Sequence, residues 1–572
     1  MRSLVVALAL VLAIPSVRAT QQVPTDLGLA SRTGVVVSSS DIASDIGAAI
    51  LAKGGNAVDA AVATAFAMAV TYPFAGNIGG GGFMVVRAPN GNATTFDYRE
   101  TAPGKSTPTM YVGADGNIDR SLTAAGDLAP GVPGTVRGME LAHKKFGKLA
   151  WKDVVSPAAD LATKGFPLSA SLARGLNSEV AGQMKRFPAS VAAYGKPGGG
   201  QWAERETIVL ADLGKTLSAI ANDGPDAFYK GWIADRIAED MAANGGLISK
   251  ADLAAYQAKE RAPVRGKFLV FDIISMPPPS SGGVALIEML NILEGAEIQK
   301  KAHGSAEAHH LITEAMRRAY LDRARFLGDP DFGQIPVANL TSKAHAKEVA
   351  RNIDPNRASK SDVLGKDIIT VPQRPEPDDT THFSVVDKDG MAVSNTYTLE
   401  GGYGSHVVIK GTGILLNNEM GDFNKKPGVT NLTGDIGTAP NLIEPGKRML
   451  SSMTPTIVTR NNKLVLVTGS PGGRTIINTV LNVVLNVTAW DMTGRVAVDS
   501  ARSHHQWLPD RLTLEENAVA PAVADKLKAM GHDVRMTGKQ GSAQSIWVHP
   551  ITGTLFGIAD RRDATAKASK PQ

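Results

Sequence analysis

The sequence predicts an α+β protein, with a mostly helical first part followed by a strand-rich last third. Helical periodicity dominates from about residue 136 to residue 256, because apolar residues recur there every three or four positions. Short β-branched runs separated by turn residues recur mainly after residue 380. The 572 residues are 43% hydrophobic and 20% charged, a composition that supplies a large core and excludes a disordered or fibrous chain.

Capped helices account for most of the first part. The run Ser-Ser-Ser-Asp at 38–41 caps a helix that extends to Leu51, and Asn56 caps a second, Ala-rich helix that extends to about Val70. Further helices are predicted over 136–146, 151–164, 206–244 and 305–326, the last with arginines on its exposed face. An apolar stretch at 476–487 is interrupted by asparagines, so it predicts a buried helix rather than a membrane span.

Paired strands are predicted on either side of short turns. A hairpin joins 83–88 to 94–99 across Pro89-Asn90-Gly91, and a further β-type run covers 267–275. The Pro-rich, acidic segment 371–379 is unsuited to the interior of a strand or a helix. It leads directly into a strand at 380–386 that returns as 391–399, and a last hairpin pairs 455–460 with 464–468.

The first nineteen residues have the features of a secretory signal. Arg2 precedes an apolar run at 4–14, Pro15 breaks that run, and Val17-Arg18-Ala19 has small residues at the outer cleavage positions. The run is shorter than the roughly 20 residues that a membrane span needs. We therefore expect a signal peptide at 1–19 and an exported mature chain, periplasmic or secreted, with no membrane attachment.

Several chemistries are excluded by what the sequence lacks. Without cysteine there are no disulfides, thiolate metal sites or cysteine nucleophiles. The formal charge of +5 is not clustered, which argues against a nucleic-acid partner. No G-x-S-x-G elbow, P-loop or H-E-x-x-H motif occurs, and the residues of the pairs His309-His310 and His504-His505 should point apart. We expect neither a metal nor a cofactor.

The junction between Asp379 and Thr380 carries a distinct chemical possibility. A threonine hydroxyl alone is a poor nucleophile. If the chain were cut before Thr380, the new α-amine, with a pKa of about 7.7–8.0, would lie beside the residue's own Oγ and could accept its proton near neutral pH. From the residues alone, the alternative is an ordinary loop that leads into a strand with a β-branched first residue.

The segments around this junction closely resemble the γ-glutamyltranspeptidase family. The match there comprises Thr380-Thr381-His382-Phe383-Ser384-Val385-Val386-Asp387 and Asn395-Thr396-Tyr397-Thr398-Leu399. Other segments that resemble the family, in family order, are 77–83, FDYRE at 96–100, APGVPG at 129–134, LLNNEMGDF at 415–423, SSMTPT at 451–456, GSPGGR at 469–474 and HHQWLP at 504–509. The resemblance runs from about Ser39 to Asp560, nearly the whole mature chain.

The resemblance implies an N-terminal-nucleophile hydrolase fold of the αββα type, a sandwich of two stacked, mainly antiparallel sheets flanked by helices. It implies self-cleavage before Thr380 into a large subunit, 20–379, and a small subunit, 380–572, which together form one αββα unit as a heterodimer. It also implies the reaction. Thr380 attacks γ-glutamyl amides such as glutathione or glutamine, and the resulting γ-glutamyl ester passes its acyl group to water or to an amino-acid or peptide acceptor.

The resemblance also assigns the reacting groups. Thr380 Oγ is the nucleophile and its α-amine is the base, while Thr398 hydrogen-bonds and orients Thr380. The backbone N–H groups of Gly472 and Gly473 bind the oxyanion, a task that suits glycine because the substrate must approach the backbone closely.

The two charged ends of the glutamyl group are assigned in the same way. Arg99 holds the α-carboxylate as a fork, helped by the hydroxyls of Ser451 and Ser452. Carboxylates surround the α-ammonium, namely those of Glu400, Glu419 and Asp422. Taken in isolation, Arg99 would instead be read as a surface ion pair with Glu100 or Asp97, and the two serines as turn residues.

Two positions depart from what is usual in the family. Glu400 stands where many members have Asn, and its negative charge should still favour an ammonium group. The segment 427–447 resembles the lid that covers the substrate in lidded members, with Thr433 at the position of an aromatic gate. We therefore expect a lid and leave open how tightly it closes.

Two other functions are compatible with parts of the sequence. A cephalosporin or glutaryl acylase would share the fold, but a glutaryl group has no α-ammonium for Glu419 and Asp422 to bind. A non-catalytic exported binding protein would keep the fold and leave the chain of 59.9 kDa uncut.

Overall fold

Two seven-stranded sheets form the centre of the protein. The computed structural model describes residues 26–368, 370–371, 379–428, 430–431 and 439–572. The strands of the two sheets are, in chain order, Leu29–Ser31 (β1), Gly34–Ser38 (β2), Gly81–Arg87 (β3), Ala93–Tyr98 (β4), Lys259–Arg261 (β5), Val264–Phe268 (β6), Phe271–Ser275 (β7), Thr381–Asp387 (β8), Ala392–Thr398 (β9), Thr456–Arg460 (β10), Lys463–Thr468 (β11), Ser545–Val548 (β12), Leu555–Ile558 (β13) and Lys567–Ser569 (β14).

Both sheets are antiparallel throughout. Sheet 1 has the strand order β14-β2-β8-β9-β3-β4-β5. Sheet 2 has the order β1-β13-β12-β11-β10-β7-β6. The remaining strands, which form smaller sheets, are Phe166–Pro167, Thr207–Ile208, Thr370–Val371, Val408–Ile409, Ile414–Leu415, Thr430–Asn431, Ser503–His504, Leu512–Glu515 and Val534–Thr537.

Helices cover the outer faces of the two sheets. Those of eight or more residues are Asp41–Ala52 (α1), Ala57–Thr71 (α2), Thr135–Phe146 (α3), Trp151–Lys164 (α4), Ala170–Ala181 (α5), Ala211–Asp223 (α6), Trp232–Asn244 (α7), Gly282–Gly295 (α8), Ala306–Phe326 (α9), Lys343–Ala350 (α10), Thr475–Thr488 (α11) and Pro521–Ala529 (α12). Shorter α-helices are Ser121–Ala124, Pro188–Tyr194, Asp226–Tyr229, Lys250–Ala255, Val337–Leu340, Ser361–Leu364 and Gly494–Asp499, and the 3-10 turns are Met184–Arg186, Ile298–Lys300, Glu419–Asp422 and Ala439–Asn441.

The alternation of side chains along β2 shows how the layers stack. Val35 and Val37 pack against sheet 2 in a core between the sheets that includes Ile457 and Ile546, while Val36 packs against helices on the opposite face. Successive residues of a strand point to opposite faces, so a continuous run of valines serves a sheet that is covered on both sides.

Two further cores complete the sandwich. One joins sheet 1 to helices α1 to α7, and the other joins sheet 2 to α8, α9 and α11. The order of layers is therefore helices, sheet 1, sheet 2, helices, which confirms the α+β class and the αββα sandwich expected from the resemblance.

Several predicted elements are confirmed with their caps. Ser40 caps α1 by accepting a hydrogen bond from the backbone of Ala43, and Asn56 and Asp59 form a capping box at the start of α2. The predicted helix 151–164 matches α4. The predicted hairpins around the turns at residues 89–91, 388–390 and 461–462 are present as β3–β4, β8–β9 and β10–β11.

Three predictions about elements were wrong. The expected helix 206–244 is divided by Gly224 and Pro225 into α6, a short helix and α7, because Pro225 cannot continue α6. The expected run 267–275 is a hairpin of β6 and β7, in which Leu269 adopts a positive φ of 54° at the turn. The arginines expected on an exposed face of α9 are largely inside, with Arg317, Arg318 and Arg323 all buried.

Some expectations fall outside the described residues. These are the signal peptide at 1–19, most of the Pro-rich segment and Thr433 of the expected lid. Within the part of the chain that the structure does describe, no helix combines the length and apolar character that crossing a membrane requires.

Candidate active site

One cavity of about 1270 Å³ brings together every site residue that the sequence predicted. Its walls include Arg99, Asp379, Thr380, Thr398, Glu400, Glu419, Asp422, Ser451, Ser452, Gly472 and Gly473. These residues lie up to 374 positions apart in the chain, between 99 and 473. Their convergence in one cavity is therefore a property of the tertiary fold.

The ends of neighbouring strands place these side chains. Arg99 directly follows β4, Thr380 directly precedes β8, and Thr398 ends β9. Gly472 and Gly473 lie in the short connection between β11 of sheet 2 and helix α11. The cavity thus sits at one edge of the sandwich, where rigid strands fix the starting point of each connection.

Thr380 is buried at this edge, with 5% of its surface exposed. Its Oγ1 donates a hydrogen bond to the carbonyl oxygen of Asp379, and Thr398 Oγ1 donates to the same oxygen at 3.2 Å. Thr381 pairs with Tyr397 in the ladder, so the register places Thr380 opposite Thr398. Thr398 was expected to bond to Thr380 itself, and in this continuous chain its hydroxyl instead binds the carbonyl just before Thr380.

The residue before Thr380 is held by its side chain as well. The backbone N–H of Gly402 donates to Asp379 Oδ2 at 2.8 Å. Burial raises the pKa of the Asp379 carboxyl above its ordinary value, and the hydrogen bond from Gly402 opposes that shift. The backbone carbonyl and the side-chain carboxyl of Asp379 are therefore both held by hydrogen bonds next to Thr380.

The glycine pair lies at the start of a long buried helix. Gly472 and Gly473 have positive φ angles of 128° and 51°, and Thr475 bonds to the carbonyl of Gly472 through its N–H at 2.9 Å and its Oγ1 at 2.6 Å. A Cβ on Gly472 would overlap Thr475 Oγ1. The N-terminal end of a helix carries partial positive charge, so the backbone here is suited to a negatively charged oxygen.

Arg99 lies at the centre of a buried cluster of carboxylates, which we call the acid–arginine cluster. It consists of Arg99, Glu100, Glu419 and Asp422. The guanidinium forms ion pairs with Glu419 at 2.7 Å and with Asp422, and its Nη1 lies 3.6 Å from Glu100. Arg99 is fully buried, so the alternative of a surface ion pair is wrong.

Three carboxyl groups share one guanidinium in the acid–arginine cluster, so one guanidinium cannot offset all three if every carboxyl group is ionised. Burial is the main cause that raises the pKa of Glu100, to about 8, and that raises the pKa of Glu419 well above its ordinary range. Arg99 opposes both shifts, and the neighbouring carboxylates add to them. An additional cation, such as an ammonium group, would favour the ionised forms of these carboxyl groups.

Ser451 and Ser452 lie next to this cluster on the chain segment before β10. Ser451 Oγ accepts a hydrogen bond from the backbone N–H of Met453 at 3.2 Å, and Ser452 Oγ accepts one from Arg323 Nη2 at 2.9 Å. Arg323 also lines the cavity and was missed by the sequence prediction. One signal could have found it, since Arg323 falls on the same helical face as the apolar residues Met316 and Tyr320.

Glu400, the residue that departs from the usual pattern, follows β9 in a left-handed conformation with a φ of 77°. Its N–H donates to Thr398 Oγ1 at 2.9 Å, and its carboxylate packs so closely on Gly421 that a Cβ there would overlap it. Non-glycine residues in this region of φ carry strain that the surroundings must hold. The backbone of Glu400 is thus held beside Thr398, and its carboxylate lies against the turn that bears Glu419.

Histidine near the nucleophile has a structural role. His382 is fully buried, and burial lowers its pKa to about 3. Its ring nitrogens lie 2.8 Å from Thr396 Oγ1 and 3.1 Å from Ser384 Oγ. The ring is therefore neutral at ordinary pH and committed to hydrogen bonds inside sheet 1.

Two groups of side chains within the described residues have a spacing that could hold a metal ion, and neither lines the cavity. One is His310, Glu314 and His532, and the other is Glu288, Asp322 and His345. The members of each group already bind neighbouring side chains, as His310 does with His532 at 2.8 Å and His345 with Asp322 at 2.7 Å.

Comparison with known proteins gives one consistent family. The family model described as "Gamma-glutamyltranspeptidase" matches residues 43–569. The glutathione hydrolase proenzyme of Escherichia coli K12 is 46% identical over 534 residues, which cover 93% of this chain and 91% of that protein.

Solved structures agree with this result. The γ-glutamyltranspeptidase of Helicobacter pylori is 43% identical, with a TM-score of 0.55 over 59% of this chain and 94% of that chain. A cephalosporin acylase from Bacillus halodurans has a TM-score of 0.83 over 98% of this chain and 100% of that chain, at 24% identity. At that identity the acylase supports the fold alone.

Proposed function

The chain belongs to the γ-glutamyltranspeptidase family, and we propose that Thr380 is the nucleophile with which it hydrolyses and transfers γ-glutamyl groups. The observation that carries this assignment is the single cavity in which Thr380, the acid–arginine cluster and the glycine pair meet. The name of the Escherichia coli relative, a glutathione hydrolase proenzyme, supports glutathione as a donor.

Self-cleavage comes first in this proposal. Thr380 Oγ attacks the carbonyl carbon of Asp379, a C–O bond forms, and the C–N bond to Thr380 breaks, which gives an ester and a free α-amine. Water then opens the ester to a carboxyl group on Asp379 and restores the hydroxyl. The hydrogen bond from Thr398 to the Asp379 carbonyl supports this step, because it stabilises the negative charge that develops on that oxygen.

Recognition of the glutamyl group uses its two charges. Its α-ammonium would bind the carboxyl groups of Glu419 and Asp422 and favour their ionised forms, while Arg99 would attract the α-carboxylate. The hydroxyls of Ser451 and Ser452 would donate to that carboxylate. A site that binds both charges at a fixed distance favours γ-glutamyl amides over ordinary α-linked amides.

The transfer reaction then follows from the new α-amine. It accepts the proton of Thr380 Oγ as the oxygen attacks the γ-carbonyl carbon, and the N–H groups of Gly472 and Gly473 would stabilise the resulting oxyanion. The C–N bond breaks, and the leaving amine takes the proton. Water or an acceptor amine attacks the γ-glutamyl ester in turn and releases the acyl group from Thr380.

An acylase specific for glutaryl amides is the second candidate. It is disfavoured by the acid–arginine cluster, because a glutaryl group carries a carboxylate and no ammonium to offset the buried acids. Faster cleavage of a glutaryl anilide than of a γ-glutamyl anilide would favour the acylase instead.

The proposed function is tested by turnover of a γ-glutamyl anilide. Thr380→Ala should lose turnover to the background rate and should remain one uncut chain on a denaturing gel, of 59.9 kDa less the mass of any signal peptide removed. Thr513→Ala, which removes a hydroxyl elsewhere on the cavity wall, is the matched control and should keep both activities. Equal rates for wild type and Thr380→Ala would refute the assignment, and an uncut, inactive wild type would favour a binding protein.

N-terminal sequencing of the mature protein tests both proposed cleavage sites. The small fragment should begin Thr-Thr-His-Phe at Thr380, and the large fragment should begin at Thr20 if the export signal is removed as expected. A cut elsewhere would place the nucleophile on another residue.

A further inference from the structure

Arg323, on the inner face of helix α9, lies directly behind Ser452. It is 5% exposed, and its guanidinium donates hydrogen bonds to two serine hydroxyls. Its Nη2–H donates to Ser452 Oγ at 2.9 Å, and its Nε–H donates to Ser281 Oγ at 2.8 Å. One rigid side chain thus joins α9 to the start of α8 and to the segment before β10.

The direction of these bonds has a consequence for Ser452. A guanidinium has only donors, whereas a hydroxyl has one proton and two acceptor positions. Ser452 Oγ must therefore accept from Arg323, and its own proton is left to be donated to another group. The hydroxyl of Ser451 is oriented in the same way. Its Oγ accepts a hydrogen bond from the N–H of Met453, which leaves its proton to be donated to another group.

Ser281 also fixes the backbone next to Ser452. Its Oγ accepts from Arg323 and donates to the carbonyl oxygen of Ser451 at 2.6 Å, and its N–H donates to that oxygen at 2.8 Å. The backbone between Ser451 and Ser452 is therefore fixed from the side opposite the cavity. Side chains that are fixed in this way lose little entropy when a ligand binds.

Helix α9 also supports the opposite side of the cavity. Tyr320 lies one turn before Arg323, and its hydroxyl donates to the carbonyl oxygen of Arg474, directly after Gly473. Residues three apart on a helix share a face. One helical face thus holds both the serine pair and the end of the glycine connection.

We propose that Arg323 is a positioning residue for the α-carboxylate of the donor: it sets Ser452 as a hydrogen-bond donor that faces the cavity. The inference rests on the proposed function and adds a residue to it. Arg323 acts through Ser452 and has no part in the chemistry at Thr380. Its loss should therefore weaken binding of donors that carry an α-carboxylate and leave the acyl transfer step itself nearly unchanged.

The test compares two anilides on wild type, Arg323→Met and Arg323→Lys. The γ-glutamyl anilide carries the α-carboxylate, and the γ-aminobutyryl anilide has the same amine and lacks that carboxylate. For Arg323→Met, kcat/KM on the first should fall roughly tenfold to a hundredfold, mostly through KM, because a hydrogen bond to a charged group is lost. On the second anilide it should change less than about threefold. Arg323→Lys keeps the charge and loses the fork, so its loss should be intermediate.

A double-mutant cycle separates positioning from a general structural effect. Adding Arg323→Met to Ser452→Ala should cost little more than Ser452→Ala alone, because the group that Arg323 directs is already gone. Arg325→Met is the matched control, since Arg325 lies on the same helix, pairs with Asp367 and does not line the cavity. Self-cleavage and Tm report whether each variant folds, and Arg323→Lys carries the test if Arg323→Met does not fold.

An equal loss of kcat/KM on both anilides would overturn the inference. A double mutant whose fold-loss equals the product of the two single-mutant fold-losses would also overturn it. So would full activity of Arg323→Met. These outcomes are distinct from failure of the proposed function, in which wild type itself would not turn over the γ-glutamyl anilide.

Discussion

Buried ionisable residues form the centre of this site. Arg99, Glu100 and Glu419 are all fully buried in one cluster. Removing such groups from water costs free energy that is recovered only partly by ion pairing. Buried ionisable groups with strongly shifted pKa values concentrate at functional sites, which agrees with the substrate-binding role proposed for this cluster.

Glu100 makes stability depend on pH in a direction that can be tested. Its pKa is about 8 in the folded protein against an ordinary value of 4.5. Between these values the folded protein keeps a proton that the unfolded chain has released, so the free energy of unfolding falls as pH rises. Glu100→Gln keeps a neutral side chain and removes this titration. We expect its Tm to vary less than that of wild type between about pH 5 and 8.

The matched control is Glu444→Gln, which changes a half-exposed carboxylate outside the cavity. Its Tm should follow the wild-type pH dependence. An equal flattening in Glu444→Gln, or none in Glu100→Gln, would show that Glu100 does not hold the proton.

At the scale of elements, the connection between β11 and α11 is the most constrained part of the site. Gly469 lies so close to the ring of His382 that a Cβ would overlap it, and Gly472 is at a φ of 128°. Glycine is thus required at position 469 because the ring of His382 leaves no room for a Cβ, and at position 472 because the backbone conformation is unfavourable for other residues. The proposed oxyanion role of its N–H groups therefore depends on glycine at position 472.

Gly472→Ala tests the constraint on this element. The added Cβ would overlap Thr475 Oγ1 and strain the backbone. The N–H groups of the connection should therefore shift away from the position proposed for the oxyanion. We expect kcat for the γ-glutamyl anilide to fall by about 10²-fold or more, with a smaller change in KM.

Gly390→Ala is the control for this substitution. Gly390 also has a positive φ, of 84°, and lies in the β8–β9 turn with open space around it. It should lower Tm and leave kcat unchanged. If both variants lost activity equally, the effect of Gly472→Ala would be one of stability alone.

At the scale of the whole molecule, each sheet mixes strands from both sides of the expected cut. In sheet 1, β8 lies between β2 and β9, and β3 follows on the other side of β9. Strands β2 and β3 come from before Thr380, and β8, β9 and β14 come from after it. Sheet 2 combines β1, β6 and β7 with four strands from the later part of the chain.

This interleaving predicts that cleavage will not release a subunit. Separation would expose both sheet cores and break the backbone ladders between β2 and β8 and between β9 and β3. The two fragments should co-elute in size-exclusion chromatography at the mass of the uncut Thr380→Ala variant. They should separate only in denaturant, with a single unfolding transition. Elution of separate fragments in native buffer would contradict this topology.

Elements with local sequence signals could be predicted before the fold was known. Caps and periodicity predicted α1, α2 and α4, because a capping side chain and the apolar face of a helix lie within a few residues of each other. The same holds for the β8–β9 hairpin and its turn. The motifs also predicted, through the resemblance, which residues would share one cavity.

The contacts among those residues, in contrast, could be seen only in the folded chain. Arg323 was expected on an exposed face, and it is buried because Ser281 and Ser452, distant in the chain, accept its hydrogen bonds. The guanidinium of Arg99 likewise pairs with Glu419 and Asp422, which are distant in the chain, as well as lying 3.6 Å from its neighbour Glu100. A charged side chain can be buried only where partners satisfy it, and the folded chain, rather than local periodicity, supplies those partners.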